Sequence, residues 1–570
     1  MILTRVPSEW VPHPRSEPER GMLLARELGA PPAIGHTLVH RGLADAAAAR
    51  RFLAPRRDDL HDPLGMLGMD RAVERIRGAV ERGEGILIQG DYDVDGITST
   101  YVLHAALTGL GAVVHWRIPH RTRDGYGLTL AAVDDAGRRG CTLIVTVDCG
   151  ITACEPVARA HALGIDTIVT DHHAPAATLP EALAIVNPLR PGCPYPFKSL
   201  AGVGVSYKLA EALLRAHGQD ERASDLLEAT AIGTIADVVP LVGENRVLAT
   251  LGLEHLNRTS HLGLRALIER SGLADRQITG GQVAYVLAPR INAAGRMGHA
   301  DQALRLLLAR DEGEARACAE SLEDENERRR RFDEQVSAEA ATLVEQELRW
   351  PECASILLWS DRWHPGVLGI AASRMVERFQ RPTILVALEG ERGRGSGRSL
   401  SGLDLTRVLD GCGDLLDGYG GHALAAGLTV QRQRLPQLRE RLERLVRERV
   451  RPEDLVRRLE IDSDITLGEC NDDLMEWVGR LSPHGLDNPE PVYRVPRAEV
   501  LAATVVGGGK HLRLSVRDGT GKAEAIGFGL GGQAEAVQRA RACALAFVPT
   551  RNEWNGTSRI QLKVKGIRLP

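Results

Sequence analysis

The chain of 570 residues has no apolar run long enough to cross a lipid bilayer, and its amino terminus lacks the basic-then-apolar pattern of a secretory signal. Its nine cysteines are scattered, odd in number and contain no CxxC pair, which argues against a zinc ribbon or a disulfide framework. Aromatic residues make up only 4% of the sequence, so a long platform for stacking bases is not expected. These shortages predict a protein of the reducing cytoplasm.

The overall charge and the length exclude little by themselves. A formal net charge of −4 argues against a generally basic nucleic-acid binder, although acidic metal ligands can mask a local basic groove. Hydrophobic residues at 43% and charged residues at 26% are typical of a globular protein. Because 570 residues exceed what one hydrophobic core usually supports, we expect three or more domains.

Acidic residues and histidines follow three short apolar segments that have the composition of buried strands. The pairs are residues 85–89 before Asp91, Asp93 and Asp95, residues 142–147 before Asp148, and residues 166–170 before His172 and His173. In a parallel sheet the carboxyl ends of the strands lie at one edge, which would bring these groups together. So many like charges need a counter-ion, and carboxylates with imidazoles suit Mn²⁺ or Mg²⁺.

Each cluster taken alone has another interpretation, a solvated acidic turn or a calcium site without catalysis. Recurrence after three successive strands makes that interpretation much weaker for the set. The sequence therefore predicts a divalent metal site.

The alternation of strands and helices from residue 81 predicts an α/β fold, a doubly wound parallel sheet with right-handed crossovers. Residues 300–350 predict a long connecting helix, and a second α/β body follows. The tail from about residue 456 is β-rich, with hairpin signals at Asp518-Gly519 and Asn555-Gly556, and suits a small Greek-key barrel of the OB type. The expected domains are a helical extension (1–80), the first α/β domain (81–275), a helical connector (276–350), the second α/β domain (351–452) and the OB fold (453–570).

Five motifs resemble those of the DHH phosphoesterase family. They are Gly90–Gly96, Val145–Gly150, Val169–Pro175, Gly233–Leu241 and, for the DHH-associated domain, Gly420–Gly427. Their number and order make the resemblance specific, and the OB-like tail is similar to the family's bacterial single-strand-specific DNA exonucleases. The resemblance implies that the first α/β body is a DHH domain and the second a DHH-associated domain.

The resemblance also implies a set of catalytic residues and two ions of Mn²⁺ or Mg²⁺. The implied metal ligands are Asp93, Asp95, Asp148, His172 and Asp237, with Asp148 as the candidate bridge between the ions. His173 is assigned to the scissile phosphate or the leaving group. Gln89 stands where some relatives have a histidine ligand, and Asp91 is a candidate replacement.

A second set of residues is implied to bind DNA or phosphate. Arg121, Ser396 and Arg398 would form a pocket for the 5′ end, Arg296 would contact the strand backbone, His422 would touch phosphate and Tyr126 would stack on a base. The alternatives are surface salt bridges for the pocket residues, a core position for Tyr126 and a turn-stabilising role for His422. The run Arg328–Arg331 is predicted to be a charged helix face, with nucleic-acid contact as the lesser alternative.

The implied activity is degradation of single-stranded DNA from 5′ to 3′, to mononucleotides, in recombination and DNA repair. Single-strand-binding protein and a RecQ-type helicase are implied partners, with no membrane association and a monomeric state. One alternative is another DHH phosphoesterase that acts on short RNA, cyclic dinucleotides or pyrophosphate. The other is a non-catalytic replication scaffold that binds single-stranded DNA, against which the retained carboxylates and histidines argue because unpaired clustered charges are costly.

Overall fold

The computed structural model describes residues 8–121, 123–298, 300–348, 350–554 and 557–570. The amino-terminal segment contains one strand and four helices: β1 (Ser8–Pro12), α1 (Pro18–Leu28), α2 (Pro32–His40), α3 (Ala46–Leu53) and α4 (Met69–Arg82). Prolines in the first turns of α1 and α2 suit positions where no backbone donor is needed. The Asp45 side chain caps α3 by accepting from the backbone N–H of Ala48.

The first α/β domain has a five-stranded sheet in which every strand is parallel to its neighbours. Its elements are β2 (Gly85–Gln89), α5 (Val94–Gly109), β3 (Val113–Arg117), α6 (Leu130–Arg138), β4 (Cys141–Val147), α7 (Cys154–Ala162), β5 (Asp166–Thr170) and β6 (Ala184–Val186). The strand order is β3-β2-β4-β5-β6. From the boundary between β2 and β4 the chain adds strands on opposite sides, and ligands bind at such a switch point. The predicted doubly wound fold is confirmed, with short β6 as an addition that the sequence did not reveal.

Alternate residues of the strands serve two different cores. Ile86 and Ile88 pack in the layer that contains α4, α5 and the helix at Gly202–Ala216, whereas Leu87 and Ile144 pack against α6 and α7. Both faces of the sheet are covered, so the middle residues of β2, β4 and β5 are apolar. In these three strands the polar side chains lie near the strand ends.

A helical body follows the sheet. Its helices are α8 (Gly202–Ala216), α9 (Leu227–Ala236), α10 (Gly243–Leu256), α11 (Leu262–Arg270), α12 (Gly280–Gln282), α13 (Ala288–Met297), α14 (Asp301–Leu308) and α15 (Glu312–Glu347), with a π-helical turn at Val283–Leu287. The predicted long connecting helix is α15, of 36 residues, which Asp311 caps by accepting from the backbone N–H of Glu314. In its basic run, Arg328 and Arg331 are exposed and pair with glutamates one turn earlier, as predicted for a charged face.

The second α/β domain has a mixed five-stranded sheet in the order β10-β11-β9-β8-β7. Its elements are β7 (Ile356–Ser360), α16 (Leu368–Phe379), β8 (Thr383–Glu389), β9 (Arg392–Arg398), α17 (Leu405–Asp410), β10 (Leu416–His422), β11 (Ala425–Gln431) and α18 (Leu435–Arg449). The sequence does not predict β9, because alternate residues on its inner face are glycines. Side chains of neighbouring strands fill that space, and a Cβ on Gly395 would lie 2.8 Å from Leu428 Cδ1.

The carboxyl-terminal strands close into a barrel. The elements are β12 (Arg457–Ile461), β13 (Ser463–Asp464), α19 (Asp472–Leu481), β14 (Tyr493–Val506), β15 (His511–Arg517), β16 (Lys522–Gly527), α20 (Ala534–Ala540), β17 (Ala542–Trp554) and β18 (Thr557–Arg568). Pairing of β14 with β17 completes the circle β14-β15-β16-β18-β17, so the predicted OB-like barrel is confirmed. The Asp518-Gly519 turn joins β15 to β16, whereas Asn555 and Gly556 lie outside the described residues.

The amino-terminal segment joins the barrel at the far end of the chain. Leu24, Ile34 and Leu38 of α1 and α2 share a core with Leu512 and Phe547, and β1 pairs in parallel with β12. Within the described ranges, every helix falls short of the length and apolarity that a bilayer crossing requires. All nine cysteines lie in those ranges and are free thiols.

Candidate metal centre and nucleic-acid interface

Five carboxylates and two imidazoles converge beyond the carboxyl ends of β2, β4 and β5. Their ligand atoms form three overlapping groups, and within each group the atoms lie within 4.8 Å of one another: Asp91, Asp93 and Asp148; Asp95, His172 and Asp237; Asp148, His172 and His173. Asp148 and His172 each belong to two groups. The structure therefore brings together every residue of the predicted metal cluster.

Two of these carboxylates, Asp93 and Asp95, lie at the start of α5. Asp93 is the N-cap of α5, and its Oδ1 accepts from the backbone N–H of Gly96 at 3.1 Å. Both oxygens of Asp95 accept from backbone N–H groups at the start of α8, those of Gly202 and Val203, at 2.7 and 2.8 Å. The positive end of α8 thus faces the cluster, which favours anionic side chains there.

Asp148 is held in a restricted conformation between α8 and β4. Its φ is +58°, in the left-handed region that aspartate tolerates better than most residues. Position 202 must be glycine, because a Cβ there would lie 2.5 Å from Asp148 Oδ1. The Nε2 of His172 lies 3.2 Å from that oxygen and 3.7 Å from carboxylate oxygens of both Asp95 and Asp237.

Three of these ligand atoms are buried without a partner in hydrogen-bonding geometry among the described residues: Asp91 Oδ1, Asp148 Oδ1 and His172 Nε2. Unpartnered buried polar atoms are costly, so their concentration in one pocket indicates a missing ligand. A donor set rich in carboxylate oxygen with one or two imidazoles fits Mn²⁺ or Mg²⁺.

The electrostatics of the cluster agree with that fit. Burial, followed by repulsion from neighbouring carboxylates, raises the pKa of Asp148 and Asp237 well above the ordinary value, and raises the pKa of Asp95 to about 7. Burial lowers the pKa of His172 to about 4, which keeps its imidazole neutral as a metal ligand requires. Divalent cations would reverse the penalty on the carboxylates.

His173 differs from His172 because it has an acidic partner. Its Nδ1 lies 2.7 Å from Asp171 Oδ1. Burial lowers the pKa of His173, but this bond and the negative charges of Asp171 and nearby aspartates together outweigh burial and raise the pKa. Asp171 also accepts from the backbone N–H groups of Ile151, His172 and His173. Sequence reasoning left Asp171 without a role, whereas the structure makes it the residue that orients His173.

Tyr126 and Gln89 lie beside the cluster. The Tyr126 hydroxyl donates to the backbone oxygen of Asp148 at 3.0 Å and lies 3.2 Å from His173 Nδ1, while its ring remains exposed. Gln89 is fully buried, and its Nε2 donates to the backbone oxygens of Gly90 and Gly127, at 2.9 and 3.3 Å. Its Oε1 has no partner among the described residues, so Gln89 anchors the loop and leaves one acceptor free.

Arginines from three parts of the chain gather next to the acidic cluster. The Arg121 guanidinium lies over the Tyr92 ring, 5.0 Å from its centre, and Arg398 donates to Ser396 Oγ at 3.3 Å. Burial, followed by the like charges of Arg121 and other arginines, lowers the pKa of Arg296 to about 10. The first turn of α16 lies against this group, since a Cβ on Gly369 would meet Arg398 at 2.8 Å. Crowded cations beside a helix N-terminus indicate an anion site.

Sequence reasoning missed one member of this arginine group. Arg329 of α15 is half-buried and contributes to lowering the pKa of Arg296, although it lies in the run predicted to be a solvated face. The helical repeat of buried Leu322, Asn326 and Asp333 is the signal that places Arg329 inward. His422 is exposed on β10, two strands from Arg398 in the same row, or roughly 10 Å away, and is not part of the acidic cluster.

Comparison with known proteins assigns a family to each of the three folded parts. A model of the DHH family's N-terminal domain matches residues 85–234, and a model of the DHHA1 domain matches residues 352–448. These two matches define the class, a DHH protein with its associated domain. A model of the RecJ OB domain matches residues 461–566.

Relatives of known name agree along nearly the whole chain. Single-stranded-DNA-specific exonuclease RecJ of Bacillus subtilis is 39% identical over 97% of this chain and 70% of its own length, and RecJ of Salmonella typhimurium is 36% identical over 94% and 96%. The crystal structure of RecJ from Thermus thermophilus in complex with Mn²⁺ superposes with a TM-score of 0.85 at 32% identity, covering 99% of this chain and 80% of that one. The same protein has been solved with Mg²⁺. The chain belongs to the RecJ family.

Proposed function

We propose that this protein is a metal-dependent exonuclease that degrades single-stranded DNA from 5′ to 3′ and releases mononucleotides. The observation that carries the proposal is the juxtaposition of an unpartnered acidic cluster with a crowded arginine group. The first suits divalent cations and the second suits a terminal phosphate. The names of the RecJ relatives support the same substrate.

In this proposal the metal ligands are Asp93, Asp95, Asp148, His172 and Asp237, with Asp148 shared between two ions. Asp91 is a further candidate, since its ligand atom lies close to those of Asp93 and Asp148. Its Oδ1 also has no hydrogen-bond partner among the described residues. Two bound cations would activate water and neutralise charge on the phosphodiester. The protein's own contribution is rigidity, because α5, α8 and the turn after β4 fix each carboxylate.

His173 acts on the phosphate in this proposal. Asp171 raises the pKa of His173 and holds its Nδ1, which leaves Nε2 available to donate to a phosphate or leaving-group oxygen. The hydroxyl of Tyr126 braces the same imidazole. Its exposed ring is in place to stack on the terminal base, which is compatible with any sequence.

The polarity of degradation follows from the arginine group. Arg121, Ser396 and Arg398, together with the first turn of α16, would hold the 5′-terminal phosphate, and Arg296 would contact the next part of the backbone. A strand fixed by its 5′ phosphate presents the adjacent linkage to the metals. His422, on the row of Arg398, would contact phosphate at the edge of this pocket.

Two rival functions are less well supported. A DHH phosphoesterase for short RNA, cyclic dinucleotides or pyrophosphate needs no barrel, yet here the barrel is complete and matches the RecJ OB model. A non-catalytic scaffold would not need unpartnered buried ligand atoms. We further propose a cytoplasmic location, a role in recombination and repair, and a monomer that works with single-strand-binding protein and a RecQ-type helicase.

A time course on end-labelled DNA tests the proposal. Single and double strands, labelled at either end, are incubated with Mn²⁺, Mg²⁺ or chelator, beside short RNA and pyrophosphate. We expect mononucleotides from the 5′ end of single strands only, and only with metal. Preferential hydrolysis of short RNA or pyrophosphate would assign the first rival, and binding without hydrolysis under every metal condition would assign the second.

A further inference from the structure

A cavity of about 640 Å³, separate from the acidic cluster, lies along the β3 edge of the first sheet. Strand β3 is the edge strand and pairs only with β2, so its outer side forms the floor of the cavity. Helix α14 and the end of α5 form one wall, and the end of α6 forms the other. A cavity of this volume accepts a ligand the size of a nucleotide.

The lining of this β3-edge cavity carries an excess of positive charge. Five arginines line it, Arg117, Arg123, Arg139, Arg305 and Arg310, against two aspartates, Asp124 and Asp301. Arg117 and Arg305 pair with those aspartates at 3.5 Å, and Asp135, outside the lining, pairs with Arg139 at 2.8 Å and with Arg117 at 3.9 Å. Among the described residues, the side chains of Arg123 and Arg310 have no acidic partner. These two arginines without a counter-charge favour a phosphate group.

Two further observations indicate a ligand. The Nε of Arg117 is buried and has no hydrogen-bond acceptor among the described residues, although a buried guanidinium donor is costly to leave unpaired. Flat side chains are also present, because His104 and His115 line the cavity together with Trp116 in a chain that has few aromatic residues. Such rings can pack against a nucleobase.

The cavity lies behind the proposed 5′-phosphate pocket, and one turn separates the two. The backbone N–H groups of Arg123 and Asp124 donate to the backbone oxygen of His120, which forms this turn. His120, Arg123 and Asp124 line the β3-edge cavity, whereas Arg121 projects over Tyr92 on the side of the metal cluster. A ligand in the cavity would therefore act on the turn that positions Arg121.

We propose that the β3-edge cavity is a second binding site, separate from the catalytic cluster, for a small phosphate-bearing molecule of nucleotide size. The ligand would carry a phosphate monoester or a polyphosphate. Its source is either a released nucleoside 5′-phosphate, or phosphate and nucleotide that are free in solution. This site goes beyond the nuclease function and would exist whatever reaction the metal cluster performs.

The test measures binding by calorimetry on the full chain in chelator, without turnover. Every protein carries Arg398→Ala, which removes one of the two arginines of the proposed 5′-phosphate pocket and does not alter the lining of the β3-edge cavity. The probes are dAMP, ATP and inorganic phosphate. Arg310→Glu and Arg139→Glu place negative charge in the cavity, and Arg138→Glu is the matched control, because Arg138 pairs with the same Asp135 as Arg139 but does not line the cavity.

We expect one bound dAMP or ATP per chain, weakened at least about tenfold by either cavity variant and unchanged by Arg138→Glu. Tighter binding of dAMP than of inorganic phosphate would identify a nucleotide as the ligand, and equal affinities would identify phosphate itself. Absence of binding in the Arg398→Ala protein, or binding that Arg310→Glu leaves intact, would overturn the proposal. Nuclease activity is not the readout, so a failure of the exonuclease assignment does not alter these outcomes.

Discussion

Buried aspartates in two regions of this molecule have pKa values that shift in opposite directions. At the junction of the amino-terminal segment with the barrel, Asp462 lies 3.0 Å from His40 Nδ1 and accepts from Arg41 and the backbone N–H of Val492. Burial alone raises the pKa of Asp462, but these partners outweigh burial and leave the pKa below its ordinary value. In the metal cluster, Asp148 has no comparable donor within the described ranges, and burial, followed by repulsion from neighbouring aspartates, raises its pKa.

Two buried arginines differ in the same way in their hydrogen-bond partners, although burial lowers the pKa of both, to about 9 for Arg246 and about 10 for Arg296. Arg246 donates to four backbone oxygens, those of Phe52, Arg480, Leu481 and Ser482, at 2.7 to 3.0 Å. Arg296 makes one long bond, to the backbone oxygen of Gly366 at 3.3 Å, and lies among other cations. In these two pairs, the residue with several hydrogen-bond partners connects parts of the fold, and the residue with few partners lies at the proposed binding site.

The largest expected effect comes from Asp148→Asn, since asparagine tolerates the left-handed backbone at this position. Losing a shared metal ligand should lower nuclease activity about a thousandfold, equivalent to about 4 kcal/mol of activation free energy. The metal-free variant should be more stable than wild type by roughly 1–3 kcal/mol in urea unfolding at pH 8, because one buried like charge is removed.

The pH dependence of the same unfolding experiment gives a second readout. Because the carboxylate pKa values are raised in the folded state, the metal-free wild type should lose stability as the pH rises from about 4 to about 8, and Asp148→Asn should lose less. Near-normal cleavage by the variant with added Mn²⁺ would remove Asp148 from the metal site.

At the barrel junction, Asp462→Ala should have the opposite effect on stability. Loss of the carboxylate leaves His40 and Arg41 buried without their partner, so the free energy of unfolding should fall by about 3 kcal/mol. Because the pKa of Asp462 is lowered in the folded state, its stabilisation is present above pH about 4 and is lost below it. Asp464→Ala, in an exposed pair with Arg494, is the control and should cost less than about 1 kcal/mol.

Added Mn²⁺ should stabilise the folded chain only by binding at the acidic cluster. Mn²⁺ at about a hundred times its dissociation constant should raise the free energy of unfolding by about 2.7 kcal/mol, because the folded chain alone presents the assembled ligands. Thermal unfolding with and without Mn²⁺ measures this effect. Asp462→Ala should retain the increase and Asp148→Asn should lose most of it, so equal increases in both variants would place the ion elsewhere.

The two arginines separate binding from stability. Arg296→Gln should weaken binding of a 5′-phosphorylated single strand about tenfold, measured by fluorescence anisotropy in chelator, with little loss of stability. Arg246→Gln should lower the free energy of unfolding by roughly 2–4 kcal/mol, because several buried carbonyl groups lose their donor, while the folded protein binds DNA normally. Normal DNA affinity in Arg296→Gln would contradict the proposed strand contact.

The smallest effect is expected beside Asp237. Val238 has a φ of +62° and is 67% exposed, an unusual backbone conformation for a β-branched residue. Val238→Gly should relieve strain and raise the free energy of unfolding by about 1 kcal/mol. Val239→Gly, which removes a side chain packed against the core of the first domain, should lower it and serves as the comparison.

The acidic cluster could be predicted because its residues follow the ends of parallel strands, a position that strand composition alone reveals. Asp93, Asp148 and His172 therefore lie together as expected, although they are far apart in the sequence. The roles of Asp171 and Arg329 could not be assigned in the same way. The contacts of Asp171 depend on the direction of its side chain within the motif. The burial of Arg329 depends on its helix face, and the charged residues next to it in the sequence hide that face.

The elements that were missed are those whose partners are remote or whose composition is unusual. Strand β9 alternates glycine with polar residues because neighbouring side chains fill its inner face. Strand β1 gains its order from β12, which is hundreds of residues away. In both cases the determining contact is tertiary, and local propensity carries little of it.

The pairing of β1 with β12, and the core that α1 and α2 share with the barrel, have a consequence for biosynthesis. On the ribosome, the apolar faces of these helices emerge roughly 500 residues before the barrel strands that cover them, a delay on the order of 25–100 s at ordinary elongation rates. During that interval they are exposed sites for a chaperone.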